Sequence, residues 1–287
     1  MACKADFQRL HKGEPVSLDS DKDWIIAMRY KTVSLTLAVI LAASSLAIAA
    51  DPFEAAPAPE APDTFSWSSF YVGVNAGYGF GGDGDISSGG QLGPNIANMA
   101  TGARPRSVDL DRNGILGGGQ IGYNWQAGSL VYGLEADISF TEIDDDRNIV
   151  TPQINTGLAQ GNVFRSEFDY LGTVRGRLGF ALDRTLFYGT AGLAYGRSTM
   201  SVDMFAPNGV RQFTGEKTET NVGYAVGAGV EYAVTSKISL KSEYLYYDLG
   251  EEELNVQAIP GTGVAGGYDS KFNNDGHLFR VGLNYKF

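Results

Sequence analysis

Apolar residues alternate with small or polar residues along eight segments of the chain that follows Trp67. A period of two places successive side chains on opposite faces of a β-strand, so each segment predicts a strand with one apolar face. The predicted strands are Ser69–Gly81, Gly114–Gln126, Leu130–Ile143, Ser166–Leu182, Thr185–Ser198, Thr220–Val234, Lys237–Leu249 and His277–Phe287. Each is long enough for the roughly 9–11 residues that a tilted membrane-spanning strand requires.

The connections between these strands alternate in length. Short turns are predicted at Ala127–Ser129, Asp183–Arg184 and Thr235–Ser236, and long loops rich in Gly and Asp at 82–113, 144–165, 199–219 and 250–276. Short turns at one end and long loops at the other are typical of transmembrane β-barrels. The sequence therefore predicts an all-β fold, an eight-stranded antiparallel transmembrane β-barrel.

The two faces of the predicted strands favour a barrel in lipid over a soluble, lipocalin-like barrel. In Thr220–Val234 one face carries Val, Tyr and Ala from Val222 onward, whereas the other is mostly Gly and Ala with one Asn and one Glu. A water-facing surface would carry charged residues, whereas small residues suit the crowded lumen of a narrow barrel. Aromatic residues near the strand ends match the two interfacial girdles of outer-membrane barrels.

The alternation also predicts which charges point into the lumen. These are four acids and five bases, namely Glu135, Asp137, Glu231, Glu243, Arg175, Arg177, Lys241, Arg280 and Lys286. Near-neutrality is expected because an unpaired buried charge is costly. Eight strands leave a bore that side chains fill, so a wide diffusion pore is not expected, although a narrow porin-like channel stays an alternative.

Composition excludes several function classes. The net charge of −11 argues against a nucleic-acid partner, and two His and one Cys leave little material for metal sites. The motif GGGQIG at 117–122 lies within a predicted strand, not between a strand and a helix, so it does not predict a nucleotide site. We therefore predict that the protein is not an enzyme and holds no metal.

The N-terminal region predicts export. From Met28 the chain has two cations, an apolar run and the small-residue stretch Ala47-Ile48-Ala49, which together indicate a signal peptide over 28–49. Residues 1–27 lack this pattern and are interpreted as a non-native extension upstream of the true start at Met28. Residues 50–66 carry several prolines among alanines and acids, which predicts an extended periplasmic linker before the barrel of 67–287.

The ordered motifs resemble the alphaproteobacterial outer-membrane immunogenic proteins, which are small OmpA-type barrels. The resemblance covers 67–287 and is carried by WSSFYVGVNAGYGFGG, GGGQIGYNWQ, YGLEADIS, TVRGRLGFA, FYGTAGLAYG, VGYAVGAGVEYAV, LKSEYLYYDLG and FRVGLNYKF. It implies a structural surface protein of the Gram-negative outer membrane that contributes to envelope integrity and surface interaction through four external loops. The implied partners are outer-membrane lipid, lipopolysaccharide and host surfaces.

The resemblance implies a role for each of three residues. Phe287 resembles the C-terminal aromatic signature that the barrel-assembly machinery recognises, and Ala50 is the hypothetical point of attachment to peptidoglycan. His277 is the candidate ligand-binding residue, because some relatives bind haemin and imidazole is a common haem ligand. The alternative function is therefore the binding of haemin or another ligand at the loop side. Haemin is the one cofactor that the resemblance suggests.

Overall fold

The computed structural model describes residues 65–81, 85–153 and 156–287, which contain ten strands and one helix. The predicted extension 1–27, the signal peptide and nearly all of the linker lie outside these residues. The elements are β1 Ser69–Gly81, β2 Asp85–Gly90, α1 Gly93–Ala100, β3 Ser107–Asp109, β4 Asn113–Ala127, β5 Leu130–Pro152, β6 Ala159–Leu182, β7 Thr185–Phe205, β8 Arg211–Ala233, β9 Ile238–Ala258 and β10 Gly267–Lys286. Within the described ranges, no helix is both long and apolar enough to cross a membrane.

Eight antiparallel strands form a closed ring. Each of β4 to β10 pairs with its neighbour in sequence, and β1 pairs with both β4 and β10. The closing seam runs from Tyr71 opposite Lys286 to Gly81 opposite Gly276. Closure leaves no free edge in this part of the wall, as a strand barrel in lipid requires. The predicted eight-stranded barrel is confirmed.

The predicted strand ends are accurate to one residue at the end with the short turns, here called the short-turn end. Strands β4 and β5, β6 and β7, and β8 and β9 are joined there by turns of two to four residues. Gly128 and Asp183 adopt positive φ of 62° and 51° in two of these turns. Gly has no Cβ to oppose that conformation, and Asp is among the few other residues that tolerate it.

The opposite end, here called the loop end, differs from the prediction. Most residues of the predicted loops 144–165, 199–219 and 250–276 continue the flanking strands, so that β6 contains 24 residues. At about 3.3 Å per residue β6 is about 80 Å long. At a tilt of about 45° its height is about 55 Å, well above the roughly 30 Å of a bilayer core.

The reason for this error is an inversion of the alternation along each strand. In the lower part of β7, Phe187 and Leu193 face outward and are exposed. Higher in the same strand, Met200 and Val202 face inward and are fully buried, while the polar Ser201 lies outside. The upper wall therefore has an apolar interior and a polar exterior, which is the pattern of a β-sheet in water.

The connection from β1 to β4 adds a small layer to the loop end. Where β1 stops, β10 continues and pairs with β2 through Lys271–Ser87 to Tyr268–Gly90, and β3 pairs with β2. Helix α1 has a proline in its first turn, where the missing N–H costs nothing. Its Asn95 and Met99 are buried, and Met99 belongs to the apolar core of the upper barrel.

Candidate functional site in the barrel interior

The lower interior holds a network of ion pairs centred on Arg175. Its Nη2 lies 2.8 Å from Glu135 Oε1 and 2.9 Å from Asp137 Oδ2, and its Nη1 lies 3.1 Å from Glu243 Oε1. The three carboxylates come from β5 and β9, so one guanidinium on β6 joins strands on different sides of the ring. Charge-assisted bonds of this kind are the strongest hydrogen bonds in proteins.

Two further cations extend the network. Arg280 Nη1 lies 2.7 Å from Asp137 Oδ1, and its Nη2 lies 2.5 Å from Glu243 Oε2. Lys241 Nζ lies 2.8 Å from Glu135 Oε1. Strand β10 is thereby connected across the lumen to β5, with which it shares no backbone pairing.

A second cluster lies beside the first and includes a tyrosine. Arg177 Nη2 lies 2.8 Å from Glu231 Oε2, and Arg177 Nη1 donates a hydrogen bond of 2.9 Å to Tyr71 Oη. Tyr71 Oη in turn donates to Glu135 Oε2 at 2.7 Å, which connects the two clusters. Ser239 Oγ donates to Glu231 Oε1 at 2.5 Å.

The structure thus brings together eight of the nine predicted lumen charges. They are Glu135, Asp137, Glu231, Glu243, Arg175, Arg177, Lys241 and Arg280, each no more than 5% exposed. Four carboxylates and four cations give a neutral network in which every member has an ion-pair partner. Pairing offsets much of the cost of removing these charges from water, and the paired side chains occupy the bore at this level.

The ninth predicted charge, Lys286, lies apart from the network at the short-turn end. Its Nζ donates to Ser66 O at 2.7 Å and lies 4.0 Å from the ring centroid of Phe65 and 5.1 Å from that of Trp67. Trp67 is fully buried, and its Nε1 donates to Asp183 O at 3.2 Å. The residues just before β1 therefore close the short-turn end of the lumen.

Apolar side chains fill the interior above the charges. The middle cluster comprises Leu116, Ile143, Phe168, Leu171, Ala194, Ala225, Leu245, Tyr247, Leu249 and Leu278. The upper cluster comprises Ile86, Met99, Val108, Leu110, Phe164, Met200, Val202, Met204, Phe213, Leu254, Val256, Tyr268 and Phe272. The bore is consequently packed at the loop end, at mid-height, at the ion-pair network and around Trp67.

A strap of residues 101–106, between α1 and β3, lies across the loop end. Arg104 is 2% exposed, and its Nη1 donates to Asn162 Oδ1 at 2.7 Å while its Nη2 donates to Gln212 Oε1 at 3.2 Å. Ala103 O accepts hydrogen bonds from Thr151 and Gln160. Burial lowers the pKa of the Arg104 guanidinium below its usual value. The strap is held by β5, β6 and β8 together.

Side chains connect β8 and β9 where their backbone pairing is irregular. The register shifts between Thr214 and Tyr224, and within that interval Lys217 Nζ lies 2.7 Å from Glu252 Oε1. Asn221 Nδ2 donates to Glu252 Oε2 at 2.6 Å. The hydrogen bond to Glu252 raises the pKa of the Lys217 ammonium above its usual value.

His277 lies on the outer wall, not in a cavity among the loops. Its ring stacks on Phe80 at a centroid distance of 5.4 Å and on Tyr244 at 5.8 Å, and Tyr246 lies 5.2 Å away. Nδ1 and the Tyr244 hydroxyl share a hydrogen bond of 2.7 Å. His277 is thus part of an outward aromatic cluster, and haemin binding there stays a prediction.

Phe287 and Ala50 are the two predicted residues that remain. Phe287 is 73% exposed, its backbone N–H donates to Phe70 O at 3.1 Å, and its ring lies 5.7 Å from that of Phe70. It therefore extends the closing seam by one hydrogen bond, whereas its role in assembly stays a prediction. Ala50 lies outside the described residues, and its attachment to peptidoglycan stays a prediction too.

Several interior residues were not predicted from the sequence. Tyr71 and Tyr188 point inward and donate to Glu135 and Glu243, and their place in the alternation would have revealed them. Arg104 and Arg112 fall in the predicted loop 82–113, where no period assigns a direction. Among the described residues, no group of three or more His, Cys, Asp or Glu side chains could hold a metal ion.

Comparison with known proteins agrees with this architecture. Residues 34–287 match the family described as outer membrane protein beta-barrel domain. The 31 kDa outer-membrane immunogenic protein of Brucella melitensis is 36% identical over 262 residues, which cover 88% of this chain and 97% of that protein. The 22 kDa outer membrane protein of Rhizobium leguminosarum bv. viciae is 31% identical over 224 residues, covering 77% of this chain and 79% of that protein.

Among solved structures, the outer membrane protein OprG from Pseudomonas aeruginosa covers 78% of this chain and 99% of its own, with 14% identity and a TM-score of 0.48. The relatives are outer-membrane proteins, which places the present barrel in the outer membrane. This chain belongs to the family of outer membrane proteins with a β-barrel domain and is homologous to the Brucella outer-membrane immunogenic proteins.

Proposed function

We propose that the protein is a non-enzymatic structural and surface protein that strengthens the outer membrane and presents its loop end to external contacts. The observation that carries this proposal is the packed lumen, which combines a neutral buried ion-pair network with two apolar clusters above it. A bore occupied by buried ion pairs and apolar side chains favours a mechanical role over transport through the barrel centre. Haemin binding and a narrow channel stay alternative predictions without an observation in their favour.

The upper barrel supports the proposed external contacts of the loop end. Its walls rise above the belt of exposed apolar side chains, and its tips expose apolar residues such as Leu158 and Val210. Ile96, on the outer side of α1, is 55% exposed at the same end. We take these exposed side chains as the proposed contact residues of the loop end, with host surfaces and lipopolysaccharide as the proposed partners.

A deletion strain tests the proposal. We expect loss of the gene to sensitise cells to detergent and to a chelator of divalent cations, and plasmid-borne wild type to restore resistance. A tip variant carries Leu158→Ser, Val210→Ser and Ile96→Ser, which change exposed side chains only and leave the buried clusters intact. It should restore resistance but not adhesion to host cells. A deletion strain with unchanged resistance would refute the structural role, and unchanged adhesion of the tip variant would refute the surface role.

A further inference from the structure

Two carboxylates face each other on the outer wall, where the lipid-facing belt ends near the loop end. Asp248 on β9 and Asp275 on β10 are cross-strand partners on the outward face of the barrel. Like charges at directly opposite positions of a sheet repel each other and lower stability. Among the described residues neither carboxylate forms an ion pair, although the buried Arg112 attracts Asp275 electrostatically from the interior. Residues 82–84, which follow β1, are Gly, Asp and Gly and supply no cation. The pair therefore carries excess negative charge.

Aromatic rings border the two carboxylates. Tyr246 is the next outward residue on β9 and His277 the next on β10, and their ring centroids are 5.2 Å apart. The Tyr246 hydroxyl lies 3.5 Å from Asp275 Oδ2. On β8, Tyr224 is the cross-strand partner of Asp248. Carboxylates beside the faces of aromatic rings suit an organic cation, and ammonium groups are attracted to both.

An open groove of about 560 Å³ adjoins these rings on the side of the short-turn end. Tyr244 lines the groove and shares a hydrogen bond of 2.7 Å with His277, so the groove and the aromatic cluster are continuous. Gly189 and Ala228 are cross-strand partners on the outward face and form its floor, while Leu178 beside Gly189 forms a rim. The groove lies in the apolar belt, where the surrounding solvent is hydrocarbon. Its occupant is therefore an acyl chain.

We propose that the outer wall binds one lipid of the leaflet at the loop end, and that the head group of this lipid carries an ammonium group. The ammonium lies beside Asp248 and Asp275 and against the ring of Tyr246, and one acyl chain lies in the groove over Gly189 and Ala228. The cation relieves the repulsion between the carboxylates, and the hydrocarbon fills the space that the small residues leave. This inference is independent of the structural and surface role.

Two observations favour a lipid over a metal ion or water beside the carboxylates. Within the described part of the chain, no group of three or more His, Cys, Asp or Glu side chains could hold a metal ion. Water solvates Asp248 and Asp275 but leaves their mutual repulsion without a counter-charge. The groove and the carboxylates also lie on the same strands, β8 to β10, in adjoining rows of outward residues. One molecule with a cationic head and an apolar tail fits both.

The test uses the full barrel refolded in a non-ionic detergent and titrated with lipids that share the same acyl chains. Native mass spectrometry measures the fraction of barrels that retain one lipid. We expect phosphatidylcholine and phosphatidylethanolamine, which carry an ammonium, to be retained about tenfold more tightly than phosphatidylglycerol, which does not. A wild type that retains the three lipids equally would overturn the proposal.

Asp248→Asn tests the head-group contact. The amide oxygen of Asn can still accept the hydrogen bond that Gly250 N–H donates to Asp248 Oδ1, so the local turn is kept. The variant should lose most of the preference for ammonium lipids. Asp144→Asn is the matched control, because Asp144 is also an exposed carboxylate on the upper wall, on β5. It should keep the preference of wild type.

Gly189→Leu tests the groove. A Cβ on Gly189 would meet nothing closer than Gly227 O at 3.9 Å, so the larger side chain fills the groove without disturbing the wall. It should weaken the retention of all three lipids several-fold. Unchanged retention in Gly189→Leu, an unchanged preference in Asp248→Asn, or an equal loss of preference in Asp144→Asn would each overturn the proposal. A wild-type dimer that Gly189→Leu abolishes would assign the groove to a second copy of the chain and overturn it equally.

Discussion

Arg175 on β6 and Glu243 on β9 form an ion pair of 3.1 Å across the lumen, although β7 and β8 separate their strands in the wall. The same guanidinium binds Glu135 and Asp137 on β5. The pair therefore connects parts of the ring that share no backbone hydrogen bonds. Such cross-lumen contacts resist ovalisation of the barrel, which wall hydrogen bonds alone do not prevent.

Replacing Arg175 by Met should lower the free energy of unfolding by about 3–5 kcal/mol, because the change leaves buried carboxylates without a cation. Urea unfolding in lipid vesicles, read by the altered gel mobility of unfolded barrels, measures this. Arg197→Met is the control. Arg197 lies 3.4 Å from Asp169 in an exposed pair, and its loss should change the midpoint little. Equal losses in both variants would contradict the role given to the network.

The packed interior predicts that the purified protein does not conduct ions. We expect no reproducible current steps in planar bilayers, because the ion-pair network, two apolar clusters and Trp67 occlude the bore in series. A general porin reconstituted in the same bilayers serves as the positive control. Reproducible channels with uniform conductance would show that the interior rearranges in the membrane.

Deletion of Phe287 should reduce insertion into the outer membrane more than it reduces synthesis. The deletion removes the hydrogen bond to Phe70 O and an aromatic contact at the closing seam. The measurement is the ratio of folded barrel in outer-membrane fractions to total protein on immunoblots. Phe180→Ala is the control, since Phe180 is also exposed near the short-turn end but lies within the wall. Normal insertion of the deletion variant would rule out an assembly role for Phe287.

Arg104→Gln should release the strap without unfolding the barrel. The variant weakens the contacts to Asn162 and Gln212, so residues 101–106 should be cleaved several-fold faster by proteinase K on whole cells. Arg106→Gln is the control in the same segment, because Arg106 Nε donates only to Met99 O within the local turn. Equal cleavage of the two variants would contradict the role of Arg104.

The sequence predicts the strand ends at the short-turn end, the order of the strands and the interior charges. All three follow from the alternation of period two, which holds throughout the lower barrel. Thr220–Val234 and Leu130–Ile143 place apolar residues on most alternate positions, because the outward face of each strand lies in lipid. The loop end was not predictable in the same way. There the outer solvent changes from lipid to water, so inward positions such as Met200 and Phe213 become the apolar ones. A prediction that assumes one apolar face along the whole strand therefore assigns these extensions to loops.

The sequence alone determines which residues face lipid and which face the lumen, because alternation along a strand is a local property of the backbone. It also determines that the inward charges nearly cancel. Only the tertiary structure decides that Arg175 meets Glu243 and that Lys286 closes the short-turn end. These outcomes depend on ring closure and register, which bring residues far apart in the chain to one height in the bore.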